Sequence, residues 1–242
     1  MFISFMLRAL RLLACLSFMC FTLSAQEPIT SSKRVDLPFA WTEGSKPVEV
    51  RAPDGRLVLR VAGKKTGHSY PDDEMVPDYF IEKDGRRLSP AIHVYSSPYA
   101  MWSPASDLLA LTSTDGGLVG SWEVFVYDIV QNSVVERNVM KRVQVDLARR
   151  YPGGINPPGL NFFSDVERAQ FARDVKWVNV LACRWLHDPE RLLVNAQVPP
   201  SSSCGANMGK STAYIIEPRS GRILHTYTEQ ESERLWNECE GN

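Results

Sequence analysis

The chain is poor in the patterns that announce chemistry. Its four histidines, His68, His93, His187 and His225, are scattered. No two cysteines stand at C-x-x-C spacing, so no paired-cysteine motif marks a metal centre. There is no G-x-S-x-G and no H-E-x-x-H, so hydrolytic chemistry has no local anchor. Charge of one sign is lacking as well. With 27 basic and 28 acidic residues the net charge is −1, which offers no footprint for nucleic acid or an anionic membrane. Beyond residue 25 no apolar run approaches the roughly 20 residues that span a bilayer.

One lookalike needs separating out. Gly205-Ala206-Asn207-Met208-Gly209-Lys210-Ser211 resembles a phosphate-binding loop but has three residues between its glycines where that loop has four. An apolar strand pattern, not a helix, follows Lys210, so no helix N-terminus would face a phosphate. The expectation is a glycine-rich loop between two strands, and no cofactor.

What is present begins with an address. Arg8 and Arg11 precede the apolar run Leu12 to Leu23, and Ser24-Ala25 supplies small residues for a cut before Gln26. This is the grammar of a secretory signal peptide over 1–25, and the run is too short for a spanning helix. Export to the periplasm or medium of a bacterial-type envelope follows, with no integral segment after cleavage. Cys15 and Cys20 would leave with the leader. Of Cys183, Cys204 and Cys239, an oxidising compartment favours one disulfide and one leftover thiol. Cys183 with Cys204 is expected, since they flank one strand unit; Cys204 with Cys239 is the alternative.

Residues 26–242 read as a single β-rich domain. Apolar and charged residues alternate around Asp54-Gly55 and around Asp84-Gly85, which are hairpin signatures. Tyr214 to Leu224 repeats the pattern around Ser220-Gly221, and Val124 to Val135 around Gln131-Asn132. Two stretches then run in parallel. Trp102-Ser103-Pro104-Ala105-Ser106-Asp107-Leu108-Leu109-Ala110 leads to Val126-Tyr127-Asp128. Trp185-Leu186-His187-Asp188-Pro189-Glu190-Arg191-Leu192-Leu193 leads to Tyr214 to Glu217. Each is a Trp, a turn, an apolar strand and a second strand ending in an acid, so each is one stacking unit. Unit one is expected over Ala91–Tyr95, Leu108–Ser113, Trp122–Ile129 and Val134–Met140. Unit two is expected over Val175–Arg184, Arg191–Gln197, Ser211–Glu217 and Arg222–Tyr227.

The first of these stretches resembles the repeat of WD40-like propellers of the TolB type, with Ala105-Ser106 where that family has Asp-Gly. The resemblance covers about 90 residues and implies propeller-like sheets; it carries no catalytic residue. The expected fold is therefore all-β, of antiparallel four-stranded blades forming a small or partial propeller, with a β-sandwich as the alternative.

Between the units, 141–174 has different grammar. Val143 to Tyr151 reads as a short helix stopped by Pro152-Gly153-Gly154, and Ser164 opens a second helix reaching Arg173. Residues 229–240 read as an amphipathic helix with Leu235 and Trp236 inward. An extended arm is expected to join a sheet near Phe39 to Trp41.

Candidate functional residues fall in two interruptions. His68, Asp72, Asp73 and Glu74 gather on a Pro-bounded loop; a solvated acidic loop is the favoured reading, and a site for a partner or a hard cation is the alternative. Tyr151, Phe162 and Phe163 place aromatics in the insert, either as a recognition element or as a cap over a sheet. No catalytic residue is assigned. The expected function is a non-catalytic protein-binding module of the envelope, of inhibitor or immunity type. A hydrolase with a dispersed site and a carbohydrate-binding module are the alternatives.

Overall fold

The computed structural model describes residues 33–37, 48–62, 78–93, 96–114, 122–151, 178–187, 190–200 and 206–240. Residues 1–25, expected as a leader, the arm expected near Phe39 to Trp41 and most of the insert lie outside them.

In chain order, β1 (Val35–Asp36) is a short arm. Next come β2 (Glu49–Arg51), β3 (Leu57–Ala62), β4 (Asp78–Lys83), β5 (Arg86–Arg87) and β6 (Ile92–His93). These are followed by β7 (Ser96–Trp102), β8 (Leu108–Thr114), β9 (Trp122–Val130) and β10 (Ser133–Arg137). Helix α1 (Met140–Arg150) precedes β11 (Asn179–Leu186), β12 (Arg191–Gln197), β13 (Ser211–Glu217) and β14 (Arg222–Thr226). Helix α2 (Glu229–Glu240) ends the described chain. Three antiparallel sheets result: β2-β3-β4-β5 with β6 also on β4, then β1-β7-β8-β9-β10, then β11-β12-β13-β14.

The sheets stack in sequence order. Leu57, Leu59, Val61, Tyr79 and Ile81 of the first pack on Trp102, Leu109, Leu111 and Tyr127 of the second. The opposite face of the second, with Tyr99, Leu108, Ala110 and Val126, packs on Val180, Leu192, Val194 and Tyr214 of the third. The central strand β8 is therefore buried on both sides, which is why Leu108 to Leu111 is continuously apolar. Helix α1 adds Val143 and Leu147 to the second core. Asn138 accepts the Lys141 amide at 3.3 Å, and Arg149 and Arg150 lie in the last turn, where cations suit the helix dipole.

Each sheet opens with one and the same hairpin. Arg51 pairs Val58, Trp102 pairs Leu109, and Trp185 pairs Leu192, all at equal spacing. The first two turns close alike, with Gly55 N–H on Ala52 O and Ser106 N–H on Ser103 O, both at 2.9 Å. Gly55 and Ser106 have φ of +72° and +64°. The first is glycine for the usual reason. A serine there costs about 1–2 kcal/mol of backbone strain, but its Oγ accepts the Asp54 amide of the neighbouring sheet at 2.9 Å. That bond gives a reason for Ala105-Ser106 where Asp-Gly would be easier.

The two Trp residues act as latches. Trp102 Nε1 donates to Val50 O at 2.8 Å, and Trp185 Nε1 donates to Met101 O at 3.1 Å. Val50 and Met101 each precede the residue that opens the hairpin, so each Trp grips the same place one sheet back. In the first sheet the Trp position holds Arg51, which is exposed.

Several boundaries differ from expectation. The first strand of unit one is β7, not Ala91–Tyr95; Ile92 and His93 pair instead with Tyr79 and Asp78 of the first sheet. Trp102 ends β7, and Trp185 lies one residue before the end of β11. The last strand of that unit stops at Arg137, and Met140 begins α1. The strand placed at Val175–Arg184 is Asn179–Leu186. Val35 and Asp36 add a fifth strand to the central sheet by pairing with Ala100 and Tyr99.

The disulfide is also corrected. Cys183 bonds Cys239, not Cys204. Cys183 faces outward from the third sheet, and Leu235 of α2 packs there with Leu193 and Ala213, bringing Cys239 over it. Helix α2 is opened by a capping box in which Thr228 and Glu231 bond each other's backbone amides at 3.0 and 3.4 Å. Ser232 Oγ accepts the Ala213 amide at 2.8 Å, and Asn195 Nδ2 donates to Ser232 O at 2.9 Å. Leu235 is buried and Trp236 half-buried.

Candidate functional site

The strand pattern is interrupted in the first sheet, and a cavity lies there. In the first sheet the strand partnering β4 breaks between β5 and β6. The amides of Leu88 and Ser89 both reach Ile81 O, at 2.8 and 3.4 Å. Ser89 Oγ accepts the Ile81 amide at 2.9 Å and donates to Pro90 O at 2.8 Å. The serine side chain thus replaces a ladder carbonyl, and Pro90 has no amide to continue the ladder. Arg87 Nε donates to Ser89 O at 2.8 Å and fixes the break.

The interrupted strand leaves the facing surface of β9 and β10 partly uncovered. A cavity of about 300 Å³ is lined by Ser89, Pro90, Ala91, Ile92, Phe125, Tyr127, Val134 and Glu136. Its walls combine apolar and aromatic side chains with the polar Ser89, the Tyr127 ring and the Glu136 carboxylate. Glu136 pairs with Tyr127 across β9 and β10. Burial, then the adjacent Glu136 charge, push the Tyr127 hydroxyl well above its ordinary value, so it stays a neutral donor.

Strand β10 is an edge of the central sheet. Its parity can be read from one bond. Ile129 N–H donates to Asp107 O at 2.8 Å, toward β8 and away from β10. Its cross-strand partner Val134 is therefore in a non-hydrogen-bonded pair, and so is Glu136 opposite Tyr127. The backbone N–H and C=O of Val134 and Glu136 point outward and have no backbone partner among the described residues. The same two residues line the cavity. Val130 and Val135 on this hairpin are 42% and 36% exposed and, with Met208, are the large hydrophobics left exposed among the described residues.

A second polar cluster joins the turns of the second and third sheets. Buried Asp128 accepts from Arg137 Nη2 at 2.6 Å and from Arg219 Nε at 3.3 Å. Arg219 Nη2 also reaches Asp107 Oδ2 at 2.6 Å. Glu190 accepts the Ala105 amide at 3.3 Å. Burial opposes charge on Asp107, yet its bond from Arg219 prevails and holds it below the ordinary carboxylate range. Burial, with the Asp107 charge beside it, pushes Glu190 upward. Every member bonds a turn or strand group of these two sheets, so the cluster is a joint between sheets.

Of the residues singled out from sequence, Tyr151 is described. It is buried, and its hydroxyl donates to Ser211 O at 3.2 Å, near Thr212 Oγ1 at 3.3 Å. Its ring belongs to the core between the second and third sheets, not to an exposed patch. His68, Asp72, Asp73, Glu74, Phe162, Phe163 and Cys204 lie outside the described residues. The loop around Gly209 is closed by Val198 N–H on Lys210 O at 2.8 Å and leads into β13. Among the described residues no group of three or more His, Cys, Asp or Glu could hold a metal ion, and no helix is long and apolar enough to cross a membrane.

Sequence reasoning passed over the cavity residues. The available signal was Ser89-Pro90 directly after the Asp84-Gly85 hairpin, since a proline inside a strand pattern marks an interrupted edge. No family model matches the chain, and no curated protein or solved structure matches it either.

Proposed function

We propose that the protein is a non-catalytic, exported binding module that holds a segment of a partner protein at the rim between its first and second sheets. The observation that carries this is the cavity of about 300 Å³, in which Pro90, Ile92, Phe125 and Val134 lie beside the Glu136 carboxylate. Such a cavity is large enough for one bulky apolar side chain, and few polar groups beside an apolar pocket give orientation. Glu136 at the rim favours a Lys or Arg next to that anchor. The leader grammar of 1–25 and the Cys183–Cys239 bond support export to an oxidising compartment such as the periplasm. The scaffold is a partial relative, by architecture, of WD40-like propellers.

Selection of displayed peptides on the full chain tests the reading. Expected is enrichment of segments with a large apolar residue beside Lys or Arg, lost when Ala91→Trp fills the cavity. The same enrichment on a filled variant with unchanged melting, or no enrichment on the parent, would overturn it.

A further inference from the structure

The cavity and the open edge of β10 are made by the same two residues. Val134 and Glu136 turn their side chains into the cavity and their backbone groups out of the sheet. On the other face of the same strand Val135 is exposed, opposite Asp128 in register. A ligand bound only in the cavity would cover neither Val135 nor the outward amides. A strand laid along β10 would cover all of these, because its side chains alternate between the two faces.

We propose that the partner segment binds as an added β-strand on β10. Its outward backbone groups pair with those of Val134 and Glu136. One apolar side chain enters the cavity against Phe125 and Pro90, and a second, two positions away in alternation, falls beside it on the same face. The intervening side chain lies over Val135. A basic residue beside the anchor meets Glu136, the charged group of the cavity. This is the strand-addition mode of peptide recognition, in which main-chain bonds hold the segment and pockets for alternate side chains select it. The edge is short, so the main chain contributes through two residues and the anchor side chain must supply the selectivity. The inference rests on the binding reading above and adds the conformation of the bound segment.

Alternate N-methylation of a selected peptide tests it on the full chain. Methylating the amides that face β10 should weaken binding at least about tenfold each, the loss of roughly one well-formed hydrogen bond. Methylating the intervening amides should change affinity less than about threefold. On the protein, Val134→Pro removes an outward donor without touching the ladder to β9, and should weaken binding while the melting temperature stays that of the parent. Tight binding that tolerates methylation at every position would overturn strand addition and leave cavity binding standing. Failure of the unmethylated peptide to bind would overturn both. Concentration-dependent dimerisation abolished by Val134→Pro would overturn it in favour of pairing between two copies of this edge.

Discussion

Ser106 shows how a local departure can serve a distant contact. Glycine would relieve its left-handed backbone, but only a hydroxyl reaches the Asp54 amide. Glu190 occupies the matching turn of the third sheet and takes the Ala105 amide in the same manner. A carboxyl there carries a liability, because Asp107 lies beside it. Glu190 has a raised folded pKa, so its contribution is complete below the ordinary glutamate range and is lost as pH rises through the raised value. Asp107 has the opposite sign: its contribution holds above the ordinary aspartate range and is lost as pH falls through its lowered value. Glu190→Gln keeps the acceptor for Ala105 and removes only the first effect. The variant should melt at or above the parent at neutral pH, with the difference closing below about pH 4. Melting curves across that range decide it; a variant less stable at neutral pH and matched in acid would show the charge itself to be favourable.

At the scale of elements, the helix α2 does what a further sheet would otherwise do. It covers the outer face of the third sheet through Leu235, the Asn195–Ser232 bond and the Cys183–Cys239 bond. Arg34 beside the β1 arm also reaches Cys239 O at 3.1 Å while lying 3.9 Å over the Tyr99 ring, so the arm and the helix end meet. Cys239→Ser should cost about 2–4 kcal/mol, the usual range for a bridge closing a loop of this length. The loss should appear in reductant-sensitive melting and in faster amide exchange of α2, with β8 and β9 unaffected. Equal melting of oxidised and reduced protein would show that packing alone holds the helix. The helix itself was legible in sequence, from the positions of Leu235 and Trp236. Its bridge was not, because spacing along a chain says nothing about which sheet face a cysteine takes. Cys183 lies on the outer face of the third sheet, under the helix that carries Cys239.

For the whole molecule, the strand repeats were legible because both blades set apolar runs of strand length between turn residues. The strands β12 and β13 fall where their apolar runs put them, at Arg191–Gln197 and Ser211–Glu217. The first sheet was legible only as hairpins, since it keeps the turn but replaces the Trp with Arg51. Its outer face is a charge ladder in which Arg60 bonds Glu49 at 2.7 Å and Glu82 at 2.9 Å, and Arg87 lies 3.3 Å over the Phe80 ring. A polar face at one end and a bridged helix at the other are how a short stack of repeats ends without closing into a ring. The candidate site escaped sequence analysis for the complementary reason. It is built from a missing strand segment, and the residues that line it, Phe125, Tyr127 and Val134, read as ordinary alternating core positions. The break at Ser89-Pro90 on the facing sheet is what leaves them facing a gap.

Residue-resolved amide hydrogen exchange of the free, oxidised protein tests that register most directly. Ser133, Val135 and Arg137 lie in the hydrogen-bonded pairs of β10, and Val134 and Glu136 in the open ones. Exchange should alternate along the strand, slow at Val135 and Arg137 and near the solvent rate at Val134 and Glu136, with β8 slowest in the chain. Uniform protection along β10 would mean that its outer edge is already paired, and would contradict both the open edge and the site built on it.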